Sequence, residues 1–220
     1  MTLLGDIFTY ALRGSGKYIL ITGAVLSVIA DLVSLAPLIG ILAGLVLFGY
    51  FCALYFEVIQ TTATGGAEAP MYPNTSKLME DIIWPALQTF ITGLISFLPV
   101  IAYSWFGPKE PSASLMLGLA GFGMIYFPMA MLAVVVLGRL SAAGPHIVIP
   151  AMFRAGWLYA LAVFLLFFLY MAQSMVGSFL EGMPIIRALV LAVVSMYVLL
   201  TNGRMLGVIY RERQEELNWL

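Results

Sequence analysis

Six long stretches of this chain are almost free of charge, and that property decides which folds are open to it. From about Leu115 to Gly138 there is no Asp, Glu, Lys or Arg. Similar stretches run from about Tyr18 to Ala30 (extending towards Leu35), Leu38 to Ile59, Thr89 to Trp105, Trp157 to Phe179, and Ile185 to Leu200 with a continuation towards Ile209. Crossing the hydrocarbon of a bilayer takes about 20 apolar residues in a helix. There the backbone must satisfy its own hydrogen bonds, which leaves helices and closed barrels. Composition agrees: 62% of the 220 residues are hydrophobic, 10% are charged, and the mean hydropathy is +1.02. A soluble domain carries roughly 25% charged residues. The fold class that follows is all-α: one integral membrane domain over 1–220 with six transmembrane helices.

The segments between these stretches are not random. In LMEDIIWPAL, the residues Leu78, Met79, Ile82, Ile83, Ala86 and Leu87 are apolar at the spacing of one helix face, while Glu80 and Asp81 mark the other. The chain opens with the same pattern. Leu3, Leu4, Ile7, Phe8, Ala11 and Leu12 are apolar, and DIFTYAL (Asp6 to Leu12) aligns without a gap on DIIWPAL (Asp81 to Leu87). A weaker copy, HIVIPAM (His146 to Met152), precedes the fifth stretch. The pattern predicts three repeats of one unit, an amphipathic helix on the membrane surface followed by a transmembrane hairpin. The repeats span about 1–60, 76–138 and 143–209. The first residues read as such an interfacial helix rather than a cleavable signal, because Asp6 interrupts them and no basic residue precedes them.

The connections are loops by composition: 61–75, with Gly65, Gly66, Pro70 and Pro73; Gly107 to Ser114; Arg139 to Pro145; and Glu181 to Pro184. The tail 210–220 is polar, with Arg211 and Glu215 spaced to pair along a helix. Six spans put both termini on one side. That side holds Arg13, Lys17, Lys77, Arg139, Arg154, Arg204, Arg211 and Arg213; the other holds Lys109 and Arg187. Basic residues concentrate in cytoplasmic loops, so both termini, the 61–75 loop and the tail are expected in the cytoplasm. The asymmetry points to a bacterial or archaeal plasma membrane. Asn74-Thr75-Ser76 fits a glycosylation acceptor, but on the cytoplasmic side the match is fortuitous.

Several chemistries lack their residues. A net charge of −1 gives no bulk attraction to nucleic acid. One cysteine, Cys52, excludes an internal disulfide and a cysteine metal site. One histidine, His146, reads as a polar residue at the membrane surface rather than a relay or ligand. No HExxH, GxSxG or phosphate-loop motif occurs, and Gly121-Phe122-Gly123 lies within a span. No cofactor or metal is expected. Among ionisable residues in or near the spans, Asp31, Arg187 and Arg204 sit where they can snorkel to the interface or pair there. Glu57, about a turn inside the second span, is the candidate transport or polar site. Gln88 and Gln173 are the clearest mid-span polar residues. Gly40 and Gly44 form a GxxxG, continued by Gly49 and Ala53, and Ser114, Gly118 and Gly121 repeat it in the fourth span. Such stripes let helices approach closely, within the bundle first and between proteins second. Pro99 and Pro128 should kink their helices. Trp84, Trp105 and Trp157 fit interfacial anchors.

The segment ALR (Ala11 to Arg13), the tight first hairpin, Gly49-Tyr50, the loop Gly65 to Pro70 and the following DIIWPAL together resemble an uncharacterised family of prokaryotic polytopic membrane proteins, a domain of unknown function. The likeness covers roughly Asp6 to Tyr103, with Leu140 to Ala143 and the segment after it similar more loosely. The unit is also distantly similar to the membrane domain attached to some glycerophosphodiester phosphodiesterases. The resemblance implies the membrane fold and no catalytic residue.

These features support a non-enzymatic membrane protein in contact with the lipid bilayer. The leading expectation is a structural or accessory subunit joined to a protein partner or a second copy. Its interface would draw on Leu78, Met79, Ile82, Ile83, Trp84, Gly40 and Gly44. The alternative is a small transporter or lipid-handling protein centred on Glu57.

Overall fold

A computed structural model describes residues 3–33, 36–70, 77–108, 110 and 112–219. Among them all regular structure is helical. A short helix α1 (Leu3–Thr9) and a 3₁₀ turn (Tyr10–Leu12) precede α2 (Gly16–Val33) and α3 (Pro37–Ala63). A π-helical turn (Leu78–Ile83) runs directly into α4 (Trp84–Phe106), followed by α5 (Ala113–Leu137). After a 3₁₀ turn (Leu140–Ala143) come α6 (Pro145–Phe179), α7 (Pro184–Glu212) and the short α8 (Gln214–Leu217). The helices α2 to α7 are each long and apolar enough to cross a bilayer. The protein is therefore a multi-pass integral membrane protein, in contact with lipid along these helices. Asn74-Thr75-Ser76, Leu35 and Lys109 lie outside the described residues.

The three amphipathic segments take three different forms. The first is α1 with its 3₁₀ turn, separated from α2 by a bend at Arg13 to Ser15. The second is continuous with its span. The third is the start of α6, set off by a break at Gly156 (φ 59°, ψ −137°), a conformation that demands glycine. That break falls beside Trp157, where the sequence starts the fifth span. Neither Pro99 nor Pro128 interrupts its helix; the non-helical residue inside a helix is Gly156.

Packing is uneven along the membrane normal. At the end where the termini lie, α5 and α7 form the centre: every residue from Pro128 to Val135 and from Leu200 to Tyr210 is buried. A helix apolar all round has no polar face to show, and it belongs in the interior. Here α7 packs closely on α3 through Gly203 and Gly207. A Cβ on Gly207 would lie 2.4 Å from Thr62 Cβ, and one on Gly203 2.8 Å from Val58 Cγ1. Lipid tails are as apolar as leucine, so close backbone approach rather than water exclusion holds such helices together. The GxxxG that packs the bundle is thus Gly203 to Gly207. Gly44, Gly118 and Gly121 have no atom within 4 Å of a Cβ position, so the bundle does not use them, and Gly40 is half-buried. Gly49 does make a close approach, to Ile82, whose Cγ2 would lie 2.6 Å from a Cβ there.

At the opposite end the helices splay. Leu38, Ile39, Ile41, Leu42, Leu45 and Val46 on α3, Trp105 and Phe106 on α4, Phe179 on α6 and Ile185 on α7 are all exposed. These surfaces suit lipid.

The polar tail is helical and packs onto the bundle. Helix α7 continues to Glu212, Leu217 is fully buried, and Trp219 stacks on Tyr210 at 5.8 Å. Arg154 donates to the Leu217 carbonyl at 3.2 Å. The ion pairs are Arg211–Glu212 (3.2 Å) and Arg213–Glu216 (2.6 Å) in place of the expected Arg211–Glu215, because α7 ends between these residues.

Candidate functional site

Two polar clusters lie at the packed end, each built around one of the two aligned aspartates. The first joins Asp6 to Arg204. Arg204 is only 3% exposed. Its Nη2 donates to Asp6 Oδ2 at 2.7 Å, and its Nη1 donates to the Thr62 hydroxyl (3.3 Å) and to the Gly66 carbonyl. Its guanidinium lies 4.7 Å from the centre of the Tyr10 ring. Burial pushes the Tyr10 phenol above its ordinary pKa, so it sits neutral beside the cation. Nearby, Tyr197 donates to the Phe8 carbonyl at 2.9 Å and Ser15 to the Ala69 carbonyl. Arg204 therefore does not snorkel. It ties the N-terminal segment, the end of α3, the loop after it and α7 into one closed unit. A buried guanidinium with carboxylate, hydroxyl, carbonyl and aromatic partners is a structural arrangement, although Arg204 Nε and the Tyr10 hydroxyl are buried in it without a hydrogen-bond partner.

The second cluster is open. A cavity of about 350 Å³ lies between the last turns of α3, the π-helical turn with the start of α4, and the last turn of α5. Its polar walls are Glu57, Gln60, Glu80, Asp81 and Gln88; its apolar walls include Ala53, Phe56, Trp84, Val134 and Val135. Glu80 pairs with Lys77 at 2.8 Å, and Asp81 Oδ2 accepts the Lys77 backbone N–H at 2.9 Å. Among the described residues neither Glu57 nor Asp81 has an ion-pair partner. No lysine or arginine lines the cavity, and Arg139, next to the lining residue Gly138, is exposed and outside it. Gln88 is 4% exposed, makes no hydrogen bond to any described residue, and opens on the cavity. Its amide is not among the buried polar atoms cut off from any partner, so it is accessible from this space. Gly138, in the left-handed conformation (φ 65°), closes α5 at the rim. It brings the negative end of that helix to the same place.

The sequence-derived candidates separate here. Glu57 lines the cavity, as does Trp84. Ile82 turns inward (7% exposed) onto Gly49, whereas Leu78, Met79, Ile83 and Trp84 are 57%, 68%, 43% and 49% exposed. The six apolar positions thus do not form one buried face. The π-helical winding rotates Ile82 away from its neighbours, and that winding has no clear signal in composition. His146 is exposed, and Cys52 is buried and free. Gln173 donates to Ser195 at 2.8 Å. Among the described residues no group of His, Cys, Asp or Glu could hold a metal ion. In the sequence Gln88 is marked only as a polar residue in a span. Its role as the floor of the cavity depends on how α4 is rotated against α3 and α5.

No protein-family model, curated protein or solved structure matches this chain.

Proposed function

We propose that this protein is a non-enzymatic, lipid-handling or small-solute transport protein of a bacterial or archaeal plasma membrane, with the cavity beside Glu57 as its ligand site. The observation that carries the reading is the pairing of two features in one space of about 350 Å³: an unpaired carboxylate, Glu57, and a buried amide, Gln88, without a partner. Ligand sites are concave, mostly apolar and furnished with a few convergent polar groups. The volume suits a small molecule or a headgroup. The positive-inside bias favours the cytoplasm for this face and both termini. The likeness of Asp6 to Tyr103 to an uncharacterised prokaryotic family is compatible with this and adds no catalytic residue.

Native mass spectrometry of the full chain, gently extracted from its own membrane, tests the reading. The expected result is a retained small molecule or lipid that is lost in Gln88→Leu. A stoichiometric protein partner together with an empty cavity would favour the second reading, a structural or accessory subunit. That reading draws on the exposed apolar group Leu78, Met79, Ile83 and Trp84 beside the cavity.

A further inference from the structure

Resting on that ligand-binding reading, we infer that the cavity recognises an organic ammonium group, carried by a free amine or by a zwitterionic lipid headgroup. Three independent features select this class. First, the charge is unbalanced in one direction. Glu57 and Asp81 face the cavity with no cation from the described chain, while Glu80 has Lys77. Like charges across a partly buried space repel, and a bound cation relieves that repulsion. Second, the acids are not arranged for a bare metal ion, since no group of three potential ligands converges among the described residues. A larger, softer cation fits such spaced carboxylates better than a bare metal ion. Third, the remaining walls fit such a cation. Phe56 and Trp84 line it, and aromatic rings attract alkylammonium groups. Gln60 and the unpartnered, buried Gln88 add amide dipoles that can accept its N–H or turn towards its charge.

The molecule contains its own control. Asp6 and Asp81 align in DIFTYAL and DIIWPAL. Asp6 meets the Arg204 guanidinium, held under the Tyr10 ring. Asp81 instead lines a cavity shared with Glu57 and Trp84, and no described lysine or arginine is among its walls. The fold supplies the positive group in one place and leaves it to a ligand in the other.

The test uses the purified full chain in detergent and in lipid nanodiscs, with choline as probe and 3,3-dimethylbutan-1-ol as its uncharged isostere. Binding is followed by calorimetry and thermal shift at constant ionic strength. The expected result is saturable choline binding, none for the isostere, and an affinity lowered about tenfold or more by Glu57→Gln and by Asp81→Asn. Both variants are near-isosteric, and the wild-type comparison of choline with its isostere needs no variant at all. Two nanodisc compositions separate the sources. If phosphatidylcholine discs suppress choline binding and phosphatidylglycerol discs do not, the ammonium comes from a headgroup; equal binding in both assigns it to a free amine. Equal binding of the isostere, or unchanged affinity in both variants, overturns the inference. A neutral or anionic molecule retained by the native protein and lost in Gln88→Leu overturns the ammonium class and leaves the ligand-binding reading intact. A protein that retains nothing and binds neither probe overturns both.

Discussion

Asp6 and Asp81 occupy the same place in two segments of like sequence, and the fold treats them in opposite ways. Asp6 meets a buried arginine that also holds a threonine, a carbonyl and an aromatic ring. Asp81 accepts one backbone N–H, from Lys77, and lines an open cavity together with Glu57 and two glutamines. The first arrangement stabilises the fold. The second holds like charges together at some cost to it, the usual mark of a site kept for something other than stability. A local motif therefore does not determine its own role. The helix that packs against it does, and α7 brings an arginine where α3 and α5 bring none.

The comparison can be broken by mutation, and the largest effect belongs to the closed cluster. Asp6→Ala leaves the buried Arg204 without its carboxylate. Breaking a buried ion pair costs about 3–5 kcal/mol; Asp6 is about a third exposed, which sets the expectation at about 3 kcal/mol, read as a large fall in melting temperature in detergent. A fall no larger than that of a surface variant would remove Arg204 from its place as the tie between α7 and the N-terminal segment. The next effect concerns the inward residue of the second segment. Ile82→Ala should cost about 2 kcal/mol through the void left against Gly49, whereas Ile83→Ala, in a half-exposed position, should change stability by no more than about 0.5 kcal/mol. Equal effects would mean that the two isoleucines share one environment and that Ile82 is not turned inward onto Gly49.

Glycine variants sharpen the contrast between the packed and splayed ends. Gly207→Ala puts a methyl group into Thr62 and the backbone of α3 and should cost about 1–3 kcal/mol. Gly44→Ala meets nothing and should be neutral or slightly stabilising in thermal melts, as alanine favours a helix over glycine by about 1 kcal/mol. A strong loss at Gly44 would instead point to a partner seated there. The smallest effect is predicted for the open cluster itself. Asp81→Asn removes one of two like charges and should leave the melting temperature of the unliganded protein unchanged or slightly raised. A loss as large as that of Asp6→Ala would show that the two aspartates are structurally alike after all.

Much of this architecture is legible in the order of the amino acids. Apolar length locates all six spans; it matches Gly16–Val33, Leu38–Ala63 and Ala113–Leu137 to within about four residues, but it starts the third and fifth about a dozen residues late, because the helices Leu78–Phe106 and Pro145–Phe179 begin in the amphipathic segments. Trp157 marks the start of the fifth span, and Gly156 beside it proves to be the break. Glu57 stands out because a carboxylate inside an apolar run is expensive wherever it lies. Other features are hidden. Arg204 reads as an interfacial residue because its depth can be judged from sequence and its partner, 198 positions away, cannot. Gly40 and Gly44 match the close-packing motif as well as Gly203 and Gly207 do, yet Gly44 has nothing within 4 Å of a Cβ position whereas Gly203 and Gly207 both abut α3. The docking of the tail is not legible either, because Leu217, fully buried, is one apolar residue among charges.

The amino-acid order alone settles the solvent: long apolar runs require lipid around them, and the backbone in lipid requires helices. It also settles the amphipathic segments and the asymmetry of basic charge, since both are sums over local composition. Which face of each helix meets which neighbour is a matter of tertiary packing. In a bilayer, apolar residues face lipid or protein with similar ease, so hydrophobicity does not set helix rotation. Close approaches such as Gly207 on Thr62 and Gly49 on Ile82 set it instead, and with it which carboxylate receives an arginine and which lines an open cavity.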